Sequence, residues 1–344
     1  MRVIYCMKRQ NKILYGGLPA LGRELAKPEW AEATYTILLD ENTFQLCLPQ
    51  LISQVEALQE AEFIEVPAGE ECKGLEVAAQ VWQTLLESGA DRQHVLVNLG
   101  GGSVCDLGGF VAAGYKRGIR HINIPTTLLS MVDAAIGGKT AVDFGGIKNS
   151  VGFFHQPTLT IIDHVFCDTL EPEQMLCGQM EMVKTAAVTD TALYERLTSS
   201  NSITKQQIVE VARIKNRIVK ADLYDHGIRK ILNFGHTFGH AIELCANLPH
   251  GIAVGIGMKA AMYLSTKKTG LAETTYLSYS KWISEHIKLP KFTLKDIEQM
   301  LPMMHQDKKS EDGTLHCVLL QEIGAAVIDV PITDNEVRDA LLKI

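Results

Sequence analysis

"VNLGGGSVCDLGGFVAAG", residues 97–114, is the stretch whose reading decides the fold. A short apolar run ends in three consecutive glycines, and a small-residue stretch of helical character follows. Glycines at such a corner let backbone N–H groups approach a pyrophosphate closely, and the start of the helix favours its negative charge. The stretch is not G-x-G-x-x-G, and a glycine corner alone also serves as a plain strand-to-helix connection. Working outward, "YTILLD" (35–40), "HVLVNLG" (94–100), "HINIP" (121–125) and "TLTIID" (158–163) read as buried strands. "GLEVAAQVWQTLLESG" (74–89) reads as an amphipathic helix between two of them. Alternating strands and helices predict a parallel sheet covered on both faces. Asp40, at a strand end, can accept ribose hydroxyls, and Asp106 suits the positive end of a helix.

After about residue 170 the texture changes to helical segments over 178–199, 204–221, 229–246, 251–267, 272–287 and 333–343. A small β pair, "HCVLLQ" and "AAVIDV" with "EIG" as its turn, interrupts them. The expected architecture is an α/β dinucleotide-binding domain with a parallel sheet over 1–170, then a mostly α-helical domain over 171–344. With 344 residues, each domain has room for its own core. The net charge of −7 provides no global basic field for nucleic acid or an anionic membrane, so neither is expected as a partner. An anionic substrate must be held by local bases instead. The eight cysteines are scattered without a C-x-x-C pair, which fits free thiols in a reducing compartment. "MRVIYCMKRQNK" lacks the apolar run of a signal peptide, and no stretch approaches the roughly 20 apolar residues of a membrane span. A cytoplasmic location is expected.

Two clusters carry chemistry. "PTTLLSMVDAAIGGKTAVDFGGIKNSVGFFHQP" (125–157) sets Asp133, Lys139, Lys148 and Asn149 among glycines and apolar residues. Lysines on a glycine-rich backbone suit a phosphate. "FGHTFGHAIELCANLPHG" (234–251) places His236 and His240 one helical turn apart, so they share a face. Pro249 and Gly251 then break the helix and let His250 turn back toward them. "EMVK" puts Glu181 and Lys184 three apart on another helix, and Lys215 and Arg229 lie between these segments. Glu181 with two of the histidines would make a three-ligand site with an open position, the catalytic type. Spacing leaves open which two.

The ordered set "LLDEN", "VPAGEECKG", "GGGSVCDLGGFVAAGYKRG", "PTTLLSMVDAAIGGKT", "KNSVGFFHQP", "EMVK", "GIRKILNFGHTFGHAIE" and "HQDKKS" resembles the 3-dehydroquinate synthase family of sugar-phosphate cyclases over most of the chain. The resemblance implies the dehydroquinate synthase-like fold, NAD, and a divalent metal, zinc or cobalt. It implies 3-deoxy-D-arabino-heptulosonate 7-phosphate, an anionic sugar phosphate, as substrate, and a homodimer. Its metal ligands correspond to Glu181, His236 and His250, leaving His240 for the substrate phosphate. Its cofactor contacts correspond to Asp40, Asn42, Glu70, Lys73, Gly101, Gly102, Ser103, Asp106, Thr126, Thr127, Leu129, Asp133, Lys139, Lys148, Asn149, Thr169 and Leu170. Substrate contacts correspond to Lys139, Asn149, Lys184, Lys215, Arg229, Asn233, His240 and Lys309 of "DKKS", with Arg117 reaching the neighbouring subunit's phosphate. Lys139, Lys184, Arg229, Asn233 and His240 carry catalytic roles in that correspondence.

The implied reaction is transient oxidation by NAD, β-elimination of phosphate, re-reduction, and intramolecular aldol closure to 3-dehydroquinate, a step of the shikimate pathway. Arg229 and Lys215 supply charge for a carboxylate, while Lys139, Asn149 and His240 suit a phosphate. The chain departs from the family at Ile252, where Glu is usual, and at "DAAIGG", where "DSSVGG" is commoner. Ser310 stands for Asn, and the His236-to-His250 interval is short. The competing readings are another sugar-phosphate cyclase and a metal-dependent polyol or alcohol dehydrogenase. The latter shares a glycine corner and an H-x-x-x-H arrangement but has no need of this many cations.

Overall fold

The structure is a computed structural model and describes residues 11–200, 202–307 and 314–344, without the side chains of 306 and 307. The chain forms two compact units, Met1–Glu171 and Pro172–Ile344.

The first unit contains β1 (Lys12–Leu14), β2 (Tyr35–Asp40), β3 (Glu62–Val66), β4 (Val95–Gly100), β5 (Arg120–Pro125), β6 (Lys139–Phe144), β7 (Ile147–Phe154) and β8 (Leu159–Ile161). Its helices are α1 (Gly17–Leu25), α2 (Glu41–Leu46), α3 (Leu48–Gln54), α4 (Leu75–Glu87) and α5 (Gly102–Gly114). Six strands pair in the order β1-β8-β5-β4-β2-β3, all parallel. This is the expected parallel sheet. Every residue of β4 is buried, as an apolar run covered on both faces requires.

Register aligns the strand ends: Asp40 faces Val66, Leu39 faces Leu99, and Gly100 faces Pro125. The segments after β2, β3, β4 and β5 therefore leave from one edge, the edge where open α/β sheets bind ligands. Close packing explains the glycines inside α5. A Cβ on Gly108 would lie 1.9 Å from Asn98 Oδ1, and one on Gly109 would lie 2.4 Å from Thr140 Cγ2. The 125–157 stretch holds an element that sequence alone did not suggest: β6 and β7 pair antiparallel as a separate hairpin, turned by Gly145 and Gly146 at φ +61° and +77°.

The second unit contains α6 (Pro172–Ala187), α7 (Thr191–Thr198), α8 (Lys205–Ala221), α9 (His236–Ala246), α10 (His250–Lys268), α11 (Glu273–His286), α12 (Leu294–Asp307) and α13 (Asp334–Leu341). The expected pair is β9 (Leu315–Glu322) and β10 (Ala325–Ile332), joined antiparallel through Ile323 and Gly324. Most of α10 is buried, and α6, α9 and α11 pack on it. Two expected helices prove broken. The 178–199 segment divides where Asp190 caps α7 by accepting from the Leu193 N–H at 2.9 Å. The 229–246 segment divides at Gly235, whose φ of +80° ends the turn Ile228–Asn233 before α9 begins. His250 opens α10 rather than lying in a loop, with Pro249 as its N-cap. Helix α12 adds to the expected segments, and Thr293 and Asp296 cap its start reciprocally. Among the described residues no helix is long and apolar enough to cross a membrane.

Candidate metal and cofactor sites

In the second unit Glu181 projects from α6 and is fully buried, and His236 and His250 are the first residues of α9 and α10. The ligand atoms of these three residues lie within 4.8 Å of one another. His236 Nε2 is 3.8 Å and His250 Nε2 is 3.5 Å from Glu181 Oε1. The other nitrogen of each ring is occupied: His236 Nδ1 lies 3.3 Å from the Phe234 carbonyl, and His250 Nδ1 lies 2.8 Å from Glu243 Oε2. Both acceptors call for a proton at Nδ1, so it is the Nε2 atom of each ring that faces the Glu181 carboxylate. One carboxylate oxygen and two imidazole nitrogens converging on a point is a donor set that fits zinc or cobalt.

His240 is one turn along α9, its ring centroid 5.3 Å from His236 and 5.8 Å from His250. Lys184 is buried with Nζ 2.5 Å from Glu181 Oε2. Burial holds His236 well below its ordinary range, with the Lys184 charge adding to it against the pull of Glu181. Burial also acts to lower His250, but its bonds to Glu181 and Glu243 outweigh this and raise it to about 10. His250 thus sits between two carboxylates, in a site built for positive charge.

Lys215 on α8 and Arg229 in the 228–233 turn are both buried, and α8 packs against that turn. Arg229 Nη1 donates to the Leu223 carbonyl at 2.7 Å, and its backbone N–H donates to Asp222 Oδ2 at 3.1 Å. Asp222 also accepts from the N–H groups of Gly227 and His226. Burial pushes its pKa up, but these N–H groups prevail and hold it below the usual carboxylate range. Sequence reasoning missed Asp222, which shapes the loop that presents Arg229. Asn233 ends the same turn, half-buried. Lys309 lies outside the described residues.

In the first unit the cofactor candidates leave the sheet from the common strand-end edge. Asp40 ends β2, where its Oδ1 accepts from the Thr43 N–H and hydroxyl, and Asn42 is exposed in α2. Lys73 is buried, with Nζ 2.9 Å from Asp106 Oδ2 and bonded to Asn149 Oδ1. Burial alone would lower Lys73, but Asp106 and Glu70 outweigh it and raise it. Glu70 accepts from the Ser103 hydroxyl at 2.8 Å, and Lys148 approaches it at 3.9 Å. Asn149, in the left-handed region at φ +53°, donates its N–H to Asp143 Oδ1. One network therefore ties the β3 exit, the start of α5 and the hairpin.

Gly101 and Gly102 form the corner before α5, and a Cβ on Gly101 would meet Thr127 Cγ2 at 3.2 Å. Thr126 donates its N–H to the Gly100 carbonyl. Leu129 precedes a π-helical turn that contains Asp133, Lys139 is exposed at the start of β6, and Thr169 and Leu170 end the turn after β8. Arg117 is exposed with φ +68°, three residues before β5 and thus at the opposite strand end.

The glycine-cornered parallel sheet and the helical unit bearing a glutamate–histidine cluster have the architecture of the sugar-phosphate cyclases. The chain is 28% identical to 2-epi-5-epi-valiolone synthase from Streptomyces hygroscopicus subsp. jinggangensis 5008, solved with NAD+ and Zn2+ bound, at a TM-score of 0.83 over 97% of this chain and 96% of that one. Family models for the N-terminal and C-terminal parts of 3-dehydroquinate synthase match residues 63–177 and 178–310. The chain is 38% identical to the 3-dehydroquinate synthase of Parabacteroides distasonis over 89% of both chains. It is 42% identical to that of Dehalococcoides mccartyi strain BAV1, over 82% of this chain and 81% of the relative. The chain belongs to the 3-dehydroquinate synthase family.

Proposed function

We infer that the chain acts as a 3-dehydroquinate synthase, converting 3-deoxy-D-arabino-heptulosonate 7-phosphate to 3-dehydroquinate and phosphate. One conjunction carries this reading: the convergent Glu181, His236 and His250 share a unit with the buried cations Lys184, Lys215 and Arg229. A polyol dehydrogenase needs the first group but not the second. By this reading the enzyme is an NAD- and metal-dependent carbon–oxygen lyase of the cytoplasm. NAD, when bound, would accept and return a hydride, and zinc or cobalt would acidify the hydroxyl to be oxidised.

The rest falls to side chains of this chain. Glu181, His236 and His250 hold the metal. Lys184, at 2.5 Å from Glu181, balances that carboxylate's charge and orients it. Arg229, braced by the Leu223 carbonyl, and Lys215 read the substrate carboxylate, and burial makes such charge-assisted bonds strong. Lys139, Asn149 and His240 take the phosphate, and Asn233 and Lys309 complete the substrate contacts. The glycine corner at Gly101 and Gly102 receives the pyrophosphate of NAD, with the Glu70–Lys73–Asp106 network beside it.

We further propose a homodimer in which Arg117 serves the partner's phosphate site. The hairpin exposes Phe144, Ile147, Val151, Phe153 and Phe154, an apolar surface that suits a second copy. Its root adjoins the Arg117 turn, because His155 Nε2 donates to the Ile119 carbonyl at 3.2 Å. The test is incubation of the metal- and NAD-loaded chain with the heptulosonate phosphate, following phosphate and 3-dehydroquinate together. Stoichiometric release of both, with no net NADH, is expected. Steady NADH production from simple polyols without phosphate release would instead favour the dehydrogenase reading.

A further inference from the structure

Helix α9 carries His236, His240 and Glu243 at i, i+4 and i+7, one stripe along its face. Glu243 is largely buried, with 12% of its side chain accessible, so its partner is held in a partly desolvated setting. That partner is His250, on a different helix, with 2.8 Å between Oε2 and Nδ1. The imidazole is therefore suspended between two carboxylates, Glu243 at Nδ1 and Glu181 at Nε2. His236 differs: its Nδ1 meets a backbone carbonyl at the longer distance of 3.3 Å. Within the first turn of α10, the position two beyond His250 is the buried apolar Ile252, so that residue offers His250 no acceptor.

We propose that Glu243 is a positioning residue of the metal site, fixing His250 as the Nδ1–H tautomer and aiming its Nε2 at the ion. The inference rests on the assignment of Glu181, His236 and His250 as metal ligands. An imidazole at the mouth of a helix is free to rotate about its side-chain bonds, and a neutral ring has two tautomers of which one presents a lone pair at Nε2. The Glu243 carboxylate fixes the rotamer before the ion arrives, and keeps the proton on Nδ1 when Nε2 gives up its own to bind the ion. Outer carboxylates of this kind typically contribute 10–100-fold to metal affinity.

The test measures zinc affinity of the full chain by competition with a chromophoric chelator. Glu243→Ala should bind zinc about 10–100-fold more weakly. Glu243→Gln keeps an acceptor but loses the charge, so it should lose about three- to tenfold, roughly half the free energy. Both losses should vanish in a His250→Ala background, because Glu243 acts through that ring. The cobalt-loaded visible spectrum should shift in Glu243→Ala and remain near that of the parent in Glu243→Gln. NAD affinity, read by fluorescence, should be unchanged in every variant. Unchanged zinc affinity in both Glu243 variants overturns the proposal, as does an equal loss with and without His250. Should the alanine variant fail to fold, the glutamine variant with and without His250 decides alone. If His250→Ala itself leaves zinc affinity intact, the assignment of the metal ligands fails instead, which is a distinguishable result.

Discussion

Gly251→Ala tests the packing that brings the candidate ligands together. A Cβ at Gly251 would lie 2.3 Å from the Cys177 carbonyl oxygen and 2.5 Å from Cys177 Cα. Ordinary contact begins near 3.4 Å, so the two backbones must separate by about 1.1 Å. No flexible side chain can absorb this, because both clashing atoms belong to the main chain of α6. The Cys177 carbonyl is the helical acceptor for the Glu181 N–H four residues on, and Gly251 directly follows His250. The displacement therefore moves one proposed ligand away from another. Overpacking of this kind costs about 1–3 kcal/mol, and about 2–4 °C of Tm accompanies each kcal/mol in a domain of this size. An ångström of misplacement at reacting groups costs roughly 100-fold in rate. Thermal melts, zinc titration and turnover of the heptulosonate phosphate read the three effects. Gly22→Ala is the control: it lies inside α1, and its Cβ would meet nothing closer than 3.4 Å. It should be neutral or stabilising by up to about 1 kcal/mol. A Gly251→Ala chain with parental Tm and zinc affinity would refute the close-approach argument.

Arg229→Ala should cost about 1.5–3 kcal/mol in kcat/KM, the range for a charge-assisted hydrogen bond, and the loss should largely disappear for a substrate analogue without the carboxylate. An equal loss for both compounds would assign the arginine another role. His121 is buried, with its pKa lowered to about 3 by burial and by the His155 ring stacked at 5.0 Å. The unfolded chain then binds the extra proton between about pH 6.5 and 3, so stability falls as pH drops through that window, by about 1 kcal/mol per pH unit. His121→Leu should flatten this acid limb in denaturant titrations, and an unchanged slope would count against it. Arg117→Ala and Glu181→Ala, each inactive alone, should regain activity when unfolded, mixed and refolded together, since one site of a mixed dimer keeps both groups. Mixed dimers without activity would rule out a shared site.

The buried strands were legible because period and length are local properties. "VNLG" and "HINIP" carry no acidic or strongly basic residue and alternate Asn98, His121 and Asn123 with branched apolar ones, and the structure buries every one of these positions. The hairpin was not legible, because "KTAVDFGGIKNSVGFF" buries Val142 but leaves Phe144, Ile147, Val151, Phe153 and Phe154 exposed. Read alone, its lysines and glycines suggest a phosphate loop. Only pairing with β6 shows that Asn149 lies in the left-handed region and that Lys73 can reach it. The cap of α12 could have been read, since threonine followed three residues later by aspartate precedes the apolar pattern at Ile297, Met300 and Leu301.

The candidate metal site divides along the same line. The residue types that can bind an ion are written in the sequence, and the resemblance selects Glu181, His236 and His250 among them. Which ring nitrogen faces the ion is not a property of any segment. It depends on the acceptor at the opposite nitrogen, and for His250 that acceptor belongs to a different helix. A helical reading does put Glu243 on the His236 face, seven residues along. It cannot say that α10 begins at His250, or that Pro249 turns the ring back onto that face. The tautomer is therefore set by the packing of α9, α10 and α6, and the glycines at 251, 255 and 257 that permit this packing belong to the site as much as its ligands do. A Cβ at 257 would lie 2.2 Å from the Gly235 carbonyl, next to His236, just as one at 251 would strike the turn before Glu181. Two of the candidate ligands, Glu181 and His236, are thus set in place by glycines of the helix that carries the third.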